Sequence, residues 1–191
     1  MMAAHLAFSP LTGAVAGLPT AAAIFPDLNR TLSGETVVNP RPELVAEAAK
    51  IDAYLASRKS PLVGYGLKFA QTADDNDLPY NLLPAVSVVE SGAGTQACKN
   101  DSANVFGFMS CKKVDFDSYD EAIDVVGRTL AGKIPVSAYH YEGKKLSEIL
   151  VTYNGHANRN YVKNVYSVMD QIDQMDVSTD TTVAAAPIAK A

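Results

Sequence analysis

Between Asn81 and Ser91 the chain runs Leu82-Leu83-Pro84-Ala85-Val86-Ser87-Val88-Val89 and then places one carboxylate, Glu90, ahead of Ser91 and Gly92. A segment apolar on nearly every side has no face to turn to water, so it belongs in the interior of a fold. Its valines suit a strand as well as a helix, and propensity alone leaves both open. Pro84 is tolerated in the first turn of a helix, and Gly92 is a natural stop; together they favour a buried helix.

The surrounding sequence supplies amphipathic partners. Pro42 stands where a first helical residue should, and Leu44, Ala48, Ile51 and Leu55 follow on one face of a helix. After Ser60-Pro61, the residues Leu62, Tyr65, Phe69 and Ala73 repeat that spacing up to the polar run Asp74-Asp75-Asn76-Asp77. Ser118-Tyr119-Asp120-Glu121 fits a capping box, followed by Ala122, Ile123, Val126 and Leu130. Leu146, Ile149, Leu150 and Tyr153 predict another helix, ended by Asn154-Gly155. A last one begins near Asn158 and presents Tyr161, Val162, Val165, Tyr166, Met169 and Ile172. From Gly94 to Asp117 the pattern is loop-like, with a short hairpin at most around Val105 to Val114. The expected fold is mainly α, with a small hairpin or loop lobe (α+β). It occupies residues 42–175.

Residues 1–41 form a leader whose first 26 residues are Ala-, Leu- and Gly-rich, and in which Ala21-Ala22-Ala23 resembles a small-residue cleavage site. No Lys or Arg precedes the apolar stretch, so it reads either as a degenerate signal peptide or propeptide or as a disordered leader. Pro10, Pro19 and Pro26 argue against a stable membrane span. Residues 176–191 are low in complexity and read as a disordered tail.

Composition narrows the function. Sixteen Lys and Arg against 21 Asp and Glu leave a formal charge of −5, which disfavours binding nucleic acid by phosphate neutralisation. No phosphate-cradling glycine loop and no G-x-S-x-G elbow is present. His5, His140 and His156 form no ligand motif, so neither a metal nor another cofactor is expected.

Glu90 is the strongest chemical candidate. It closes an apolar run, and it sits in the last helical turn, where the negative end of the helix dipole disfavours a second negative charge. Both effects raise its pKa, which is how a carboxylic acid stays protonated at neutral pH and serves as a general acid. The plainer alternative is an exposed or Lys-paired Glu at a helix end. Cys98 and Cys111 are the two cysteines of the chain. Joined as a disulfide they would close the loop beside Glu90 and stabilise it by roughly 3 kcal/mol, as suits an exported protein. Two free thiols are the alternative, and neither has the context of an activated nucleophile. Tyr153 and Tyr161 fall at apolar helical positions, where packing is their default role.

The order of these segments resembles the soluble lytic transglycosylase branch of the lysozyme-like superfamily. The resemblance rests on Val88-Val89-Glu90-Ser91, Phe106-Gly107-Phe108-Met109, Tyr153-Asn154-Gly155 and Asn160-Tyr161-Val162, and spans residues 75–169. The family pattern is an apolar run into Glu-Ser, then Gly-Leu-Met-Gln, Tyr-Asn-Ala-Gly and Asn-Tyr-Val. Here Ser110 replaces the Gln, and the alanine of Tyr-Asn-Ala-Gly is missing. Glu90-Ser91-Gly92-Ala93-Gly94, Asn104-Val105-Phe106-Gly107 and Phe116-Asp117-Ser118-Tyr119-Asp120-Glu121-Ala122 are also similar to family 73 endo-β-N-acetylglucosaminidases, which share the fold.

The resemblance implies an extracytoplasmic, monomeric enzyme whose partner is the glycan strand of peptidoglycan. Glu90 would be the acid that breaks the β-1,4 bond between N-acetylmuramic acid and N-acetylglucosamine. Ser91, Phe106, Gly107, Met109, Tyr153, Asn154 and Tyr161 would bind substrate. Of these, Tyr153 and Asn154 would orient the sugar's acetamido group, and Phe106, Gly107 and Met109 would line the saccharide groove. In a transglycosylase Glu90 acts alone and leaves a 1,6-anhydro end. In a glucosaminidase or muramidase-type hydrolase a second carboxylate is needed, and Asp115, Asp117 and Asp120 are available. A lysozyme-like shell that binds glycan without cutting it is the non-enzymatic alternative.

Overall fold

A computed structural model describes residues 40–97, 102–109, 113–155 and 158–177. Most of the leader, the end of the tail, Cys98, Ser110, Cys111 and His156 lie outside the described residues, and with them the expected disulfide. Seven helices are described: α1 (Pro42–Ser57), α2 (Gly66–Asp75), α3 (Leu82–Ser91), α4 (Tyr119–Leu130), α5 (Ala138–Tyr141), α6 (Leu146–Asn154) and α7 (Tyr161–Asp173). The mainly α class follows directly. Among the described residues no helix is long and apolar enough to cross a membrane.

Helix α3 is the apolar run, and it is the hub. Leu82 to Val88 and Ser91 are all buried, and α2, α4 and α7 pack around it. Pro84 lies in its first turn, where the missing N–H costs nothing. Gly92 ends it with φ 61°, its N–H reaching the Val88 carbonyl at 2.9 Å while the Ala93 N–H reaches that of Ser87 at 3.0 Å. This is the left-handed stop that glycine makes without steric cost.

The flanking helices largely follow the expected faces, with two shifted starts; Tyr166, expected on the apolar face of α7, is exposed, and Val168 is buried there instead. Leu44, Ala48, Ile51, Tyr54 and Leu55 of α1 are buried. The helix expected from Leu62 begins instead at Gly66. Gly64 takes φ 95°, and the Asp52 carboxylate of α1 accepts from the N–H groups of Gly64 at 2.8 Å and Gly66 at 3.0 Å. A side chain from another helix thus satisfies the donors that fix where α2 begins. Helix α7 begins at Tyr161 rather than Asn158, because the Asn158 side chain accepts from the Asn160 N–H at 2.9 Å and holds a turn there.

Helix α4 opens as its sequence predicts. The Ser118 hydroxyl accepts from the Glu121 N–H at 3.2 Å. The Glu121 carboxylate, however, accepts from the Asp117 N–H at 2.7 Å, one residue before the cap, so the box is displaced rather than reciprocal.

The hairpin expected around Val105 to Val114 is not present among the described residues; Asp115 makes one isolated β-bridge. The segment is a loop wound around a buried asparagine. The Asn104 amide donates to the carbonyls of Phe108 and Val114 at 3.0 Å each, and its carbonyl accepts from the Phe108 N–H at 2.9 Å. One side chain thereby pairs backbone groups that a neighbouring strand would otherwise pair. The loop lies over the C-terminal end of α3.

Candidate active site

Glu90 occupies the last turn of α3, with its side chain open to solvent on one side. The Tyr161 hydroxyl, from the first residue of α7, donates to Glu90 Oε1 at 2.6 Å. The other oxygen faces Gly107: a Cβ built on that glycine would stand 3.0 Å from Oε2. Gly107 also has φ 59°, so the loop reaches the carboxyl by a turn that glycine makes freely, at a distance where an added side chain would press on Oε2.

The surroundings of this carboxyl raise its pKa above the ordinary value, chiefly because packing withdraws it from water, while the Tyr161 hydrogen bond pulls in the opposite direction. Desolvation wins. Tyr161 is only 4% exposed, and burial first, then the adjacent Glu90 charge, drives its own pKa upward. The phenol therefore remains a proton donor across the physiological range. Burial and the neighbouring Glu90 and Tyr141 hold the Tyr153 phenol in its protonated form as well.

Glu90, Gly107, Phe108, Met109, Tyr141, Tyr153 and Asn154 line a cleft of about 380 Å³. Met109 is held at φ 49° and is 50% exposed, an apolar side chain presented at a surface. Beside the cleft, a hollow of about 260 Å³ is lined by Val151, Asn154, Asn158, Arg159, Tyr161 and Val162. Asn154 belongs to both, and its amide donates to the Asn158 carbonyl at 3.2 Å, fixing the turn between α6 and α7.

Of the residues expected to bind substrate, Gly107, Met109, Tyr153 and Asn154 are brought to the cleft with Glu90, and Tyr161 stands behind the carboxyl. Two others lie elsewhere. Ser91 is buried, with its hydroxyl 2.6 Å from the Val105 carbonyl and 3.1 Å from that of Ser87, and it accepts from the Gly94 N–H at 2.9 Å. It fastens the loop to α3 and has no face toward the cleft. The Phe106 ring is fully buried, packed edge-on against Phe69 with 6.5 Å between centroids, so it anchors the loop in the core rather than lining the groove. Its backbone carbonyl accepts from the Tyr153 hydroxyl at 2.8 Å.

Asp115 accepts from the Ser102 hydroxyl at 2.9 Å and from its neighbour's N–H at 3.0 Å. Neither it nor Asp117 or Asp120 is among the described residues that line the cleft. Tyr141 and Phe108 also line the cleft, and neither is among the residues that the resemblance assigns to substrate. Tyr141 closes the four-residue helix α5, too short to show a periodicity. Its one sequence signal is the aromatic trio Tyr139-His140-Tyr141.

The arrangement is a carboxyl whose pKa is raised, at the edge of an open cleft, backed by one phenol and flanked by two more. It can give a proton to an oxygen in the cleft and take one back. No grouping of three or more His, Cys, Asp or Glu side chains able to hold a metal is present among the described residues. Comparisons with protein-family models, curated proteins and solved structures gave no match.

Proposed function

We propose that the chain cleaves the glycan strands of peptidoglycan as a lytic transglycosylase of lysozyme-like type, with Glu90 as its single protein acid. The observation that carries this reading is the state of that carboxyl. Desolvation raises its pKa, an adjacent phenol and glycine hold it in place, and it faces an open cleft. Support for the substrate class comes from the resemblance of the Glu90-Ser91, Phe106 to Met109, Tyr153 to Gly155 and Asn160 to Val162 segments to the transglycosylase motifs.

In this mechanism Glu90 donates its proton to the glycosidic oxygen as the bond from C1 of N-acetylmuramic acid to that oxygen breaks. The carbonyl oxygen of the sugar's own acetamido group shares the positive charge developing at C1. The Glu90 carboxylate then takes the proton of the 6-hydroxyl as that oxygen bonds to C1. The acid is regenerated and the product is a 1,6-anhydro sugar. One protein carboxyl suffices, and Glu90 is the one carboxyl among the described residues that line the cleft. A hydrolase of the same fold would direct water, rather than the 6-hydroxyl, to C1, usually with a second carboxylate. The positions of Asp115, Asp117 and Asp120 outside the cleft lining favour the first scheme.

The substrate places the protein outside the cytoplasm, where a Cys98–Cys111 disulfide is compatible with the redox environment. Digestion of purified peptidoglycan followed by mass analysis tests the proposal. Muropeptides ending in 1,6-anhydro-N-acetylmuramic acid are expected. Products heavier by one water would assign a hydrolase, and an undigested sacculus would leave a glycan-binding protein without this chemistry.

A further inference from the structure

Three tyrosines converge on Glu90, and they use their hydroxyls differently. Tyr161 donates to Glu90 and Tyr153 donates to the Phe106 carbonyl, so both protons are committed within the protein. Tyr141 also lines the cleft, yet its hydroxyl has no hydrogen-bond partner among the described residues. Its ring is half-buried and packs against the core, so the phenol is held in place while its polar end stays available. A fixed hydroxyl of this kind can donate to one ligand oxygen and accept from another polar group. Fixing it beforehand also reduces the entropy lost when it engages a ligand.

We propose that Tyr141 is the phenol that hydrogen-bonds the sugar in the cleft. The sequence resemblance gives that role to Tyr153, whose hydroxyl the fold uses instead to hold the loop carrying Gly107. The inference rests on the reading of the cleft as a glycan site and adds its substrate-contacting donor. The ligand is an N-acetylated hexose unit, whose acetamido oxygen or ring hydroxyl meets the phenol. Tyr141 sits on the short helix between α4 and α6, apart from the Glu90 and Gly107 segments, and so contacts the sugar from a different element than the acid does.

Wild type, Tyr141→Phe and Tyr153→Phe, compared on purified peptidoglycan with melting temperatures measured alongside, test the assignment. Tyr141→Phe breaks no hydrogen bond among the described residues. It should melt with wild type while kcat/KM falls by about tenfold or more. Tyr153→Phe breaks the bond to Phe106 and should melt lower. A second measurement removes turnover: N-acetylglucosamine tetramer should bind Glu90→Gln more tightly than the Glu90→Gln, Tyr141→Phe double variant. An active wild type matched by Tyr141→Phe in both rate and binding overturns the role of Tyr141 and leaves the glycan reading standing. A wild type inert on peptidoglycan and blind to the tetramer overturns the glycan reading, and the role of Tyr141 with it.

Discussion

The Tyr161 hydroxyl meets Glu90 Oε1 at 2.6 Å, joining the first residue of α7 to the last turn of α3. The bond opposes the effect of burial: it favours the ionised carboxylate, whereas desolvation favours the neutral acid. Tyr161 thus sets the position of the carboxyl and limits how far its pKa rises. A general acid works best when its pKa lies near the working pH, and in the proposed mechanism these two opposed effects would tune it.

Tyr161→Phe keeps the ring and removes only the donor. The Glu90 pKa should then rise further, because the effect that lowers it is gone. Activity that needs protonated Glu90 is lost as pH rises through that pKa, so the alkaline limb of the kcat/KM profile should move to higher pH. A pH–rate series on both proteins measures this directly. A limb that stays in place or moves down contradicts the role assigned to Tyr161.

The raised pKa also has a consequence for stability. Between the ordinary value of 4.5 and the raised folded value, the native protein keeps a proton that the unfolded chain has released. Stability from this source is fully present below the unfolded pKa and falls as pH rises through the folded one. Glu90→Gln removes the titration. Denaturant unfolding at about pH 4 and about pH 7 should show the Gln variant gaining on wild type as pH rises, other groups cancelling in the difference. A gap independent of pH would mean that Glu90 titrates like an ordinary surface carboxylate.

Gly107 is constrained twice, by φ 59° and by the 3.0 Å approach to Glu90 Oε2. Gly64 is constrained once, by φ 95°, with no atom within 4 Å of a built Cβ. Alanine at either position should cost about 1 kcal/mol or more from the left-handed backbone. Only Gly107→Ala should also displace the carboxyl, so its kcat should fall while Gly64→Ala keeps wild-type kcat. Thermal melts paired with rates on peptidoglycan separate the two effects. Equal kcat in both variants would remove Gly107 from the site.

Much of the fold is legible because a small set of local signals governs it. The unbroken apolar run, Pro84 in its first turn and Gly92 at its end specify α3 and its central place. Ser118 specifies the start of α4, and Asn154-Gly155 the end of α6. What escapes is what depends on distant partners. The start of α2 is set by Asp52, a residue of the preceding helix, and no pattern near Leu62 reveals it. The loop after α3 has hairpin-like sequence, but the buried Asn104 side chain takes the hydrogen bonds that strands would have made.

The site shows the same division. Glu90 is marked by its own neighbours in sequence, a carboxylate at the end of an apolar helix. Ser91, Phe106 and Tyr153 carry the right residue types, yet their polar groups or rings are spent on holding the loop. Which of the cleft tyrosines keeps a hydroxyl without a partner among the described residues is decided by packing between α5, α6 and the loop. Spacing along the chain carries no trace of it.

The most direct measurement compares Glu90→Gln with wild type on purified peptidoglycan, with melting temperatures recorded on the same preparations. Glutamine keeps the shape of the side chain and can still accept from Tyr161, but it has no acidic proton to give. A folded variant is expected, whose release of 1,6-anhydro products falls by about 10²-fold or more. A Glu90→Gln protein that is folded and digests peptidoglycan at the wild-type rate would contradict it.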